Sequence, residues 1–538
     1  MKPLPRRIIT PEIDEEFHCG QPRFGVVSRV MQHLTVAAAL LLAGAAAPAF
    51  AQSPPGSRTT ACQALGSLAI PGGAITLARA YETGDFTPPG ADAGEGGRLP
   101  PFCRVAATLT PSTDSDIRIE LWMPLADWNS KLQAVGNGAF NGTIPYEAMA
   151  TALRRGYATA GTDTGHAGGG ARWALGHPEK VIDFGWRAVH EMTVTSKRII
   201  AAHYQTGPRY AYWNGCSAGG RQAMQAAQRF PGDFDGIIAG APGLDWTGRA
   251  ARANQVAKVV EAAEGARLLR RERELLHGAV VNACDALDGV KDGLIENPRA
   301  CSFDPGQLEC RGAGATSCLT PAQVGTARLM YSSGRNAKSG REIAGVARGS
   351  ELGWTDLGWT ASARATGVDQ FRFIVFADPE WTIQKFDFEA DIARADEIDR
   401  NTVNALDPNL KPFLARGGKL IQYHGWSDPQ ISPLSSVDYY TRVVNTMGGA
   451  ANVHGSYRLF MAPGMGHCRG GEGPDTFDMV SALERWVERG EAPAQITASH
   501  ATSGVVDRTR PLCPYPQVAV YKGSGSINEA ANFICRAP

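Results

Sequence analysis

The sequence predicts an α/β fold, a parallel sheet with both faces covered, interrupted by one large inserted domain. Three observations predict it. Short apolar strands alternate with helical spacing from about residue 117 to 240. The alternation stops between about Leu244 and Asn404, then resumes with two more apolar strands. At residues 210–229 a strand, a Gly-rich turn holding a serine and a helix follow directly on one another. Alternating strands and helices call for a parallel sheet with helices packed on its faces.

Composition allows such a core. The chain has 538 residues, of which 43% are hydrophobic and 20% charged, which excludes wholesale disorder. Lys and Arg number 53 against 53 Asp and Glu. That balance gives no electrostatic case for a nucleic acid or an anionic membrane as partner.

The first element is a targeting segment. Leu34 to Ala47 is almost wholly apolar, Arg23 and Arg29 precede it, and Ala49-Phe50-Ala51 follows as an A-x-A cleavage signal. Residues 1–51 therefore read as a leader, although Met31 would open a compact signal peptide by itself. Without it the chain carries 48 basic and 49 acidic residues, and no later stretch reaches 18 apolar residues. A secreted or periplasmic protein is expected.

Strands are predicted at Ile117–Met123, Lys131–Val135 and Tyr157–Gly161. A helix is predicted over Asp183–Tyr204, with Val189, Met192, Thr193 and Ile199 on one side. A strand Tyr210–Asn214, a helix Gly219–Arg229 and a strand Gly236–Ala239 come next. Strands Lys419–Tyr423 and Ser456–Met461 complete the sheet. Residues 52–244 and 405–538 are then two parts of one domain, and residues 245–404 are the insertion.

Gly215-Cys216-Ser217-Ala218-Gly219 matches G-x-S-x-G between a strand and a helix, the context of a nucleophile elbow. This is the signature of an α/β-hydrolase fold. Small residues must flank the strained turn, and Gly215, Ala218, Gly219 and Gly220 do. The turn lifts the Ser217 hydroxyl above the sheet and aims the Ala218 N–H at a developing oxyanion. In this fold an Asp or Glu and then a His follow the serine along the chain. Two late strands end near such residues, Asp428 and His467. His467 would take the serine proton and Asp428 would orient it. His166 and His424 compete for the role of base, with a supporting or core place, the commoner one for a lone histidine, as the alternative for either; His467 is favoured because it follows a strand in the third place of the order. The loop Gly136–Gly142 follows an early strand, where such hydrolases place their second oxyanion donor; Gly138 is the leading candidate and Gly136 the next.

Ten of the eleven cysteines lie outside the leader, an even number that suits disulfides in an exported chain. Close spacing favours Cys284–Cys301, Cys310–Cys318 and Cys513–Cys535. A Ser217–His467 pair would also bring Cys216 and Cys468 together, and a bond there would stabilise by ~4–5 kcal/mol in the chain-entropy model. Spacing alone leaves connectivity open, with reduced buried cysteines as the alternative. In the insertion, Asp285, Asp288 and Asp292 are spaced by two glycines, a pattern suited to a hard cation such as calcium. A solvated acidic turn is the alternative.

The Cys216-Ser217 elbow, the Asp428 loop and the His467-Cys468 pair resemble the tannase/feruloyl esterase family, which includes the mono(2-hydroxyethyl) terephthalate hydrolases. The resemblance spans nearly all of residues 60–538 and extends to Gly136-Asn137-Gly138, Asp183-Phe184-Gly185 and Ala239-Gly240-Ala241-Pro242. It implies a secreted serine esterase acting on esters of aromatic acids, with the insertion as a lid over the substrate. It implies a structural calcium held by Asp285, Asp288 and Asp292 with the carbonyls of Val290 and Leu294. It also implies five disulfides: Cys62–Cys103, Cys216–Cys468, Cys284–Cys301, Cys310–Cys318 and Cys513–Cys535. Two other readings stay open: a hydrolase of terephthalate monoesters, and an exported calcium-stabilised binding protein without turnover. The lid holds Trp354, Trp359, Phe371, Phe373, Trp381 and Phe386, which can serve as pocket or as lid core. Arg364 and Arg372 are the candidates for binding a substrate carboxylate. Oligomeric state is left open.

Overall fold

A nine-stranded sheet organises the chain in the computed structural model, which describes residues 55–84, 86–89, 98–263, 265–312, 317–356 and 366–538. The leader, Trp359 and Arg364 lie outside the described residues. The strands are β1 (Gly73–Tyr81), β2 (Phe102–Leu109), β3 (Ile117–Pro124), β4 (Lys131–Val135), β5 (Ala158–Thr162), β6 (Tyr210–Cys216), β7 (Gly236–Gly240), β8 (Lys419–Gly425) and β9 (Tyr457–Ala462). Their spatial order is β1-β2-β3-β5-β4-β6-β7-β8-β9.

The sheet is mixed, which corrects the expectation of a parallel one. The run from β5 through β4, β6, β7 and β8 to β9 is parallel, but β1, β2, β3 and β5 pair antiparallel. Only the short link from Leu109 to Ile117 joins β2 to β3, too little chain for the crossover a parallel pair needs. The parallel strands are apolar runs because both faces are covered: every residue of β5 and β7 is buried. The helix Ala188–Tyr204 buries Val189, Met192, Thr193 and Ile199 against the sheet, and a π-helical turn, Asp183–Arg187, leads into it.

Neighbouring strands β7 and β8 are separated in sequence by the insertion. Its two ends meet at a neck, where the Ala405 N–H donates to the Leu244 carbonyl (2.8 Å) and the Thr247 N–H to Asn404 Oδ1 (3.0 Å). Inside are two apolar clusters, one around Leu276, Val280, Met330 and Trp354, the other around Phe371, Trp381 and Phe386. Those four aromatics are therefore core of the insertion. Phe373 alone of the described candidates packs toward the elbow, in a cluster with Phe140, Trp246 and Ala218. Residues 52–538 form one compact unit.

Five disulfides use all ten cysteines outside the leader: Cys62–Cys103, Cys216–Cys468, Cys284–Cys301, Cys310–Cys318 and Cys513–Cys535. Two strand pairs the sequence reading did not foresee, Ile496–Thr502 with Val505–Leu512 and Val518–Tyr521 with Phe533–Arg536, finish the chain. Among the described residues no helix is long and apolar enough to cross a membrane.

Candidate active site

Ser217 stands alone between β6 and the helix Ala218–Arg229, at φ 64° and ψ −121°. A side chain rarely tolerates that conformation, so the surroundings must hold it. The Ser217 N–H donates to the Gly240 carbonyl (2.9 Å), and its own carbonyl accepts from the N–H groups of Arg221 (3.0 Å) and Gly243 (3.2 Å). Glycine is required on both sides. A Cβ on Gly215 would lie 2.6 Å from the Gly219 carbonyl oxygen, and one on Gly220 would lie 2.2 Å from that of Gly240.

The ends of β8 and β9 bring the other two residues to this point. The Ser217 hydroxyl faces His467 Nε2 at 2.9 Å, and His467 Nδ1 faces Asp428 Oδ2 at 2.7 Å. Asp428 is fully buried. Burial raises its carboxyl, but the charge of His467 and hydrogen bonds from His424 and His467 outweigh that and hold it well below the usual carboxylate range. Its Oδ1 accepts the N–H groups of Gln430 (2.8 Å) and Ile431 (3.0 Å). With Asp428 Oδ2 at Nδ1, the imidazole of His467 is oriented so that Nε2 faces the Ser217 hydroxyl, the arrangement a serine nucleophile and its base require.

His424, one of the competing histidines, is not near Ser217 in this chain of bonds. Its Nε2–H is shared between Asp428 Oδ2 (3.1 Å) and the Ile431 carbonyl (3.0 Å), and the Ser436 hydroxyl donates to its Nδ1 (2.7 Å). It buttresses Asp428. The sequence admits His424 as a rival base or as a supporting or core residue, and its place four residues before Asp428 is the signal for the second. The other competitor, His166, bonds the Phe140 carbonyl through Nε2 (2.7 Å) and stacks on Trp173. It supports the Gly136–Gly142 loop from behind.

That loop lies against the elbow. A Cβ on Gly136 would come within 2.5 Å of the Gly219 Cα. The Asn137 N–H donates to Gln222 Oε1 (3.1 Å), and Asn137 Nδ2 donates to the carbonyls of Thr143 and Thr162 (both 2.8 Å). Gly138 is the next residue. Among the described residues, neither the Gly138 N–H nor the Ala218 N–H donates to a protein acceptor. The sequence marks Asn137 only as part of the Gly136-Asn137-Gly138 loop, and nothing in it singles out Gln222 as its partner.

The Cys216–Cys468 disulfide joins the residue before Ser217 to the residue after His467, with Cα atoms 6.0 Å apart. Beside His467 is a cavity of about 270 Å³, walled by Leu352 of the insertion and by Ser427, Arg469 and Glu472. Arg372 donates to the Trp381 carbonyl (2.9 Å), so its guanidinium is engaged within the insertion.

In the acidic loop, Asp285 caps the N–H groups of Asp292 and Gly293 (both 3.1 Å), Asp288 that of Val290 (2.9 Å), and Asp292 that of Leu294 (3.1 Å). Burial, with the charges of Asp292 and Asp285 adding to it, pushes the Asp288 carboxyl up to about 6. The donors are oxygens, the kind a hard cation takes, and here they are turned to backbone N–H groups of their own loop. Asp292 is also paired with Arg510, and among the described residues no three His, Cys, Asp or Glu side chains close into a metal cluster.

The family model for tannase and feruloyl esterase matches residues 103–536. An uncharacterized esterase of Xanthomonas campestris pv. campestris is 36% identical, over 89% of this chain and 92% of its own. The mono(2-hydroxyethyl) terephthalate hydrolase of Piscinibacter sakaiensis is also 36% identical, with the same shares covered. The crystal structure of feruloyl esterase B from Aspergillus oryzae superposes with a TM-score of 0.82 at 29% identity, covering 89% of this chain and all of that one.

Proposed function

The chain belongs to the tannase and feruloyl esterase family and is a carboxylic ester hydrolase, and from that premise we propose that it cleaves esters of aromatic, phenolic acids through an acyl-enzyme on Ser217. The observation that carries this reading is the unbroken line of bonds Ser217–His467–Asp428 at the carboxyl edge of the sheet. Ser217 Oγ attacks the ester carbonyl while His467 Nε2 takes its proton. The N–H groups of Ala218 and Gly138 receive the oxyanion. Collapse expels the alcohol, which takes the proton from His467. Water, deprotonated by the same imidazole, then attacks the acyl carbonyl and frees Ser217. Throughout, Asp428 stays ionised and orients the ring.

Phe373, in the apolar cluster that also holds Ala218 and Phe140, supports an aromatic acyl group at this edge. The 36% identity to a terephthalate monoester hydrolase favours a second reading, in which the acyl group is terephthaloyl. Export is part of the proposal: five disulfides form and persist in an oxidising compartment. So is structural calcium, held by Asp285, Asp288 and Asp292 with the carbonyls of Val290 and Leu294; it would neutralise crowded carboxylates and take no part in the chemistry. The partner is a small ester substrate, with no nucleic acid and no membrane. Kinetics on feruloyl, galloyl and terephthaloyl monoesters, with Ser217→Ala as the blank, test the substrate class. A preference for phenolic acyl groups is expected; turnover confined to short aliphatic esters would reject it.

A further inference from the structure

His277 lies on the helix Arg270–Cys284 of the insertion, nearly two hundred residues before His467. Both of its ring nitrogens meet carboxylates: Nδ1 is 2.8 Å from Glu351 Oε2, and Nε2 is 2.8 Å from Glu472 Oε2. A neutral imidazole has one donor nitrogen only, and its other nitrogen would face a carboxylate lone pair. Two carboxylate partners therefore require the imidazolium.

The two partners belong to different parts of the molecule. Glu351 is a fully buried residue of the insertion, and its Oε1 accepts from the Tyr331 hydroxyl (2.6 Å) and the Gly349 N–H (2.8 Å). Glu472 sits at the base of the loop that carries His467. Its N–H donates to the Gly464 carbonyl (3.0 Å), closing the loop Gly464–Gly473 with His467 and Cys468 inside it. The cavity beside His467 lies between these two sides, with Leu352 on one and Glu472 on the other.

We propose that His277 is a positioning residue of the esterase, which as a cation ties the insertion to the base of the His467 loop and, on losing its proton, releases that tie. The inference rests on the reading of His467 as the catalytic base. It gives the enzyme an alkaline limit that does not originate in Ser217, His467 or Asp428.

The surroundings support the charge state. Burial pulls the His277 imidazole down, but hydrogen bonds and charges from Glu351 and Glu472 outweigh it and push it up to about 9. The hydrogen bond from His277 in turn holds Glu472 below the ordinary carboxylate value, with Arg508 adding to the effect. Tyr331 does not titrate in the same range, because burial and the nearby Glu351 keep its phenol well above 10, against the guanidinium of Arg348 over its ring. The sign follows. The folded value lies above the ordinary 6.5, so the stabilisation is complete below pH 6.5 and is lost as the pH rises through about 9.

The test compares wild type, His277→Gln, His277→Arg and Glu472→Gln from pH 6 to 10.5 on one aromatic ester, with Ser217→Ala subtracting spontaneous hydrolysis. Wild-type kcat/KM should fall at least fivefold through pH 9. His277→Gln should already be that low at pH 7 and show no further fall. His277→Arg, a permanent cation, should keep wild-type activity at pH 7 and lose the alkaline fall. Thermal melts should show the wild-type Tm declining from pH 6.5 to 9 and that of His277→Arg staying level. If His277→Gln fails to fold, Glu472→Gln, altered at a half-exposed side chain, must reproduce its profile. A wild-type alkaline fall in His277→Gln, His277→Arg or a folded Glu472→Gln would overturn the proposal. Activity surviving in Ser217→Ala would instead remove the triad reading on which it rests.

Discussion

Removing the Cys216–Cys468 disulfide tests how far the site depends on a covalent tie. The double substitution Cys216→Ala with Cys468→Ala deletes the bond without leaving a reactive thiol. The bond closes a loop with a sequence separation of 252. Chain entropy for such a loop gives about 5 kcal/mol at 25 °C. The disulfides Cys284–Cys301 and Cys310–Cys318 lie inside that loop but span only 17 and 8 residues, so they shorten it little. For a folded unit running from Gln52 to Pro538 the melting entropy is about 1 kcal/mol/K. The Tm should therefore fall by about 5 °C by calorimetry. Activity should suffer more than stability. The bond flanks both Ser217 and His467, and a displacement of about 1 Å in a catalytic group costs on the order of 100-fold. We expect kcat to drop 10- to 100-fold on an aryl ester at a temperature where the variant is fully folded. A Tm within 1 °C of wild type together with kcat within twofold would refute the reasoning.

Two other outcomes are expected. His424→Ala removes one of the two imidazoles on buried Asp428 and should lower kcat about tenfold, whereas His467→Ala should lower it a thousandfold or more; stopped assays on one ester compare them, and the reverse ranking would make His424 the base. Chelation should lower the Tm and raise KM for bulky esters more than for aryl acetates, because a ligand bound to the folded state alone stabilises it; Asp288→Ala should mimic the chelator, and an unchanged melt with no calcium by elemental analysis would leave Asp285, Asp288 and Asp292 an acidic turn.

What could be read from the chain were features with local grammar. The elbow announces itself because strand, glycines, serine and helix are contiguous, and β8 and β9 because buried parallel strands are short apolar runs. Asp428 and His467 followed from where those strands end. The Ala405 N–H meets the Leu244 carbonyl, close to where the alternation stops and resumes in the sequence. Antiparallel β1 and β2 escaped notice: β1 exposes part of its length and shifts register between Ile75 and Leu77, so its two-residue period is broken. His277 between Glu351 and Glu472 was invisible for another reason: that partnership is made by packing, and no spacing distinguishes a histidine that will meet two acids from one that will meet none.

Ser217 as the nucleophile can be tested by a single covalent measurement. A fluorophosphonate ester should add one phosphonyl group to the protein, and peptide mass spectrometry should find it on Ser217. The label should be lost in Ser217→Ala and form far more slowly in His467→Ala, since an unassisted hydroxyl is a poor nucleophile. A stoichiometric label on any other residue, or an active enzyme that the reagent leaves unlabelled and uninhibited, would contradict an acyl-enzyme on Ser217.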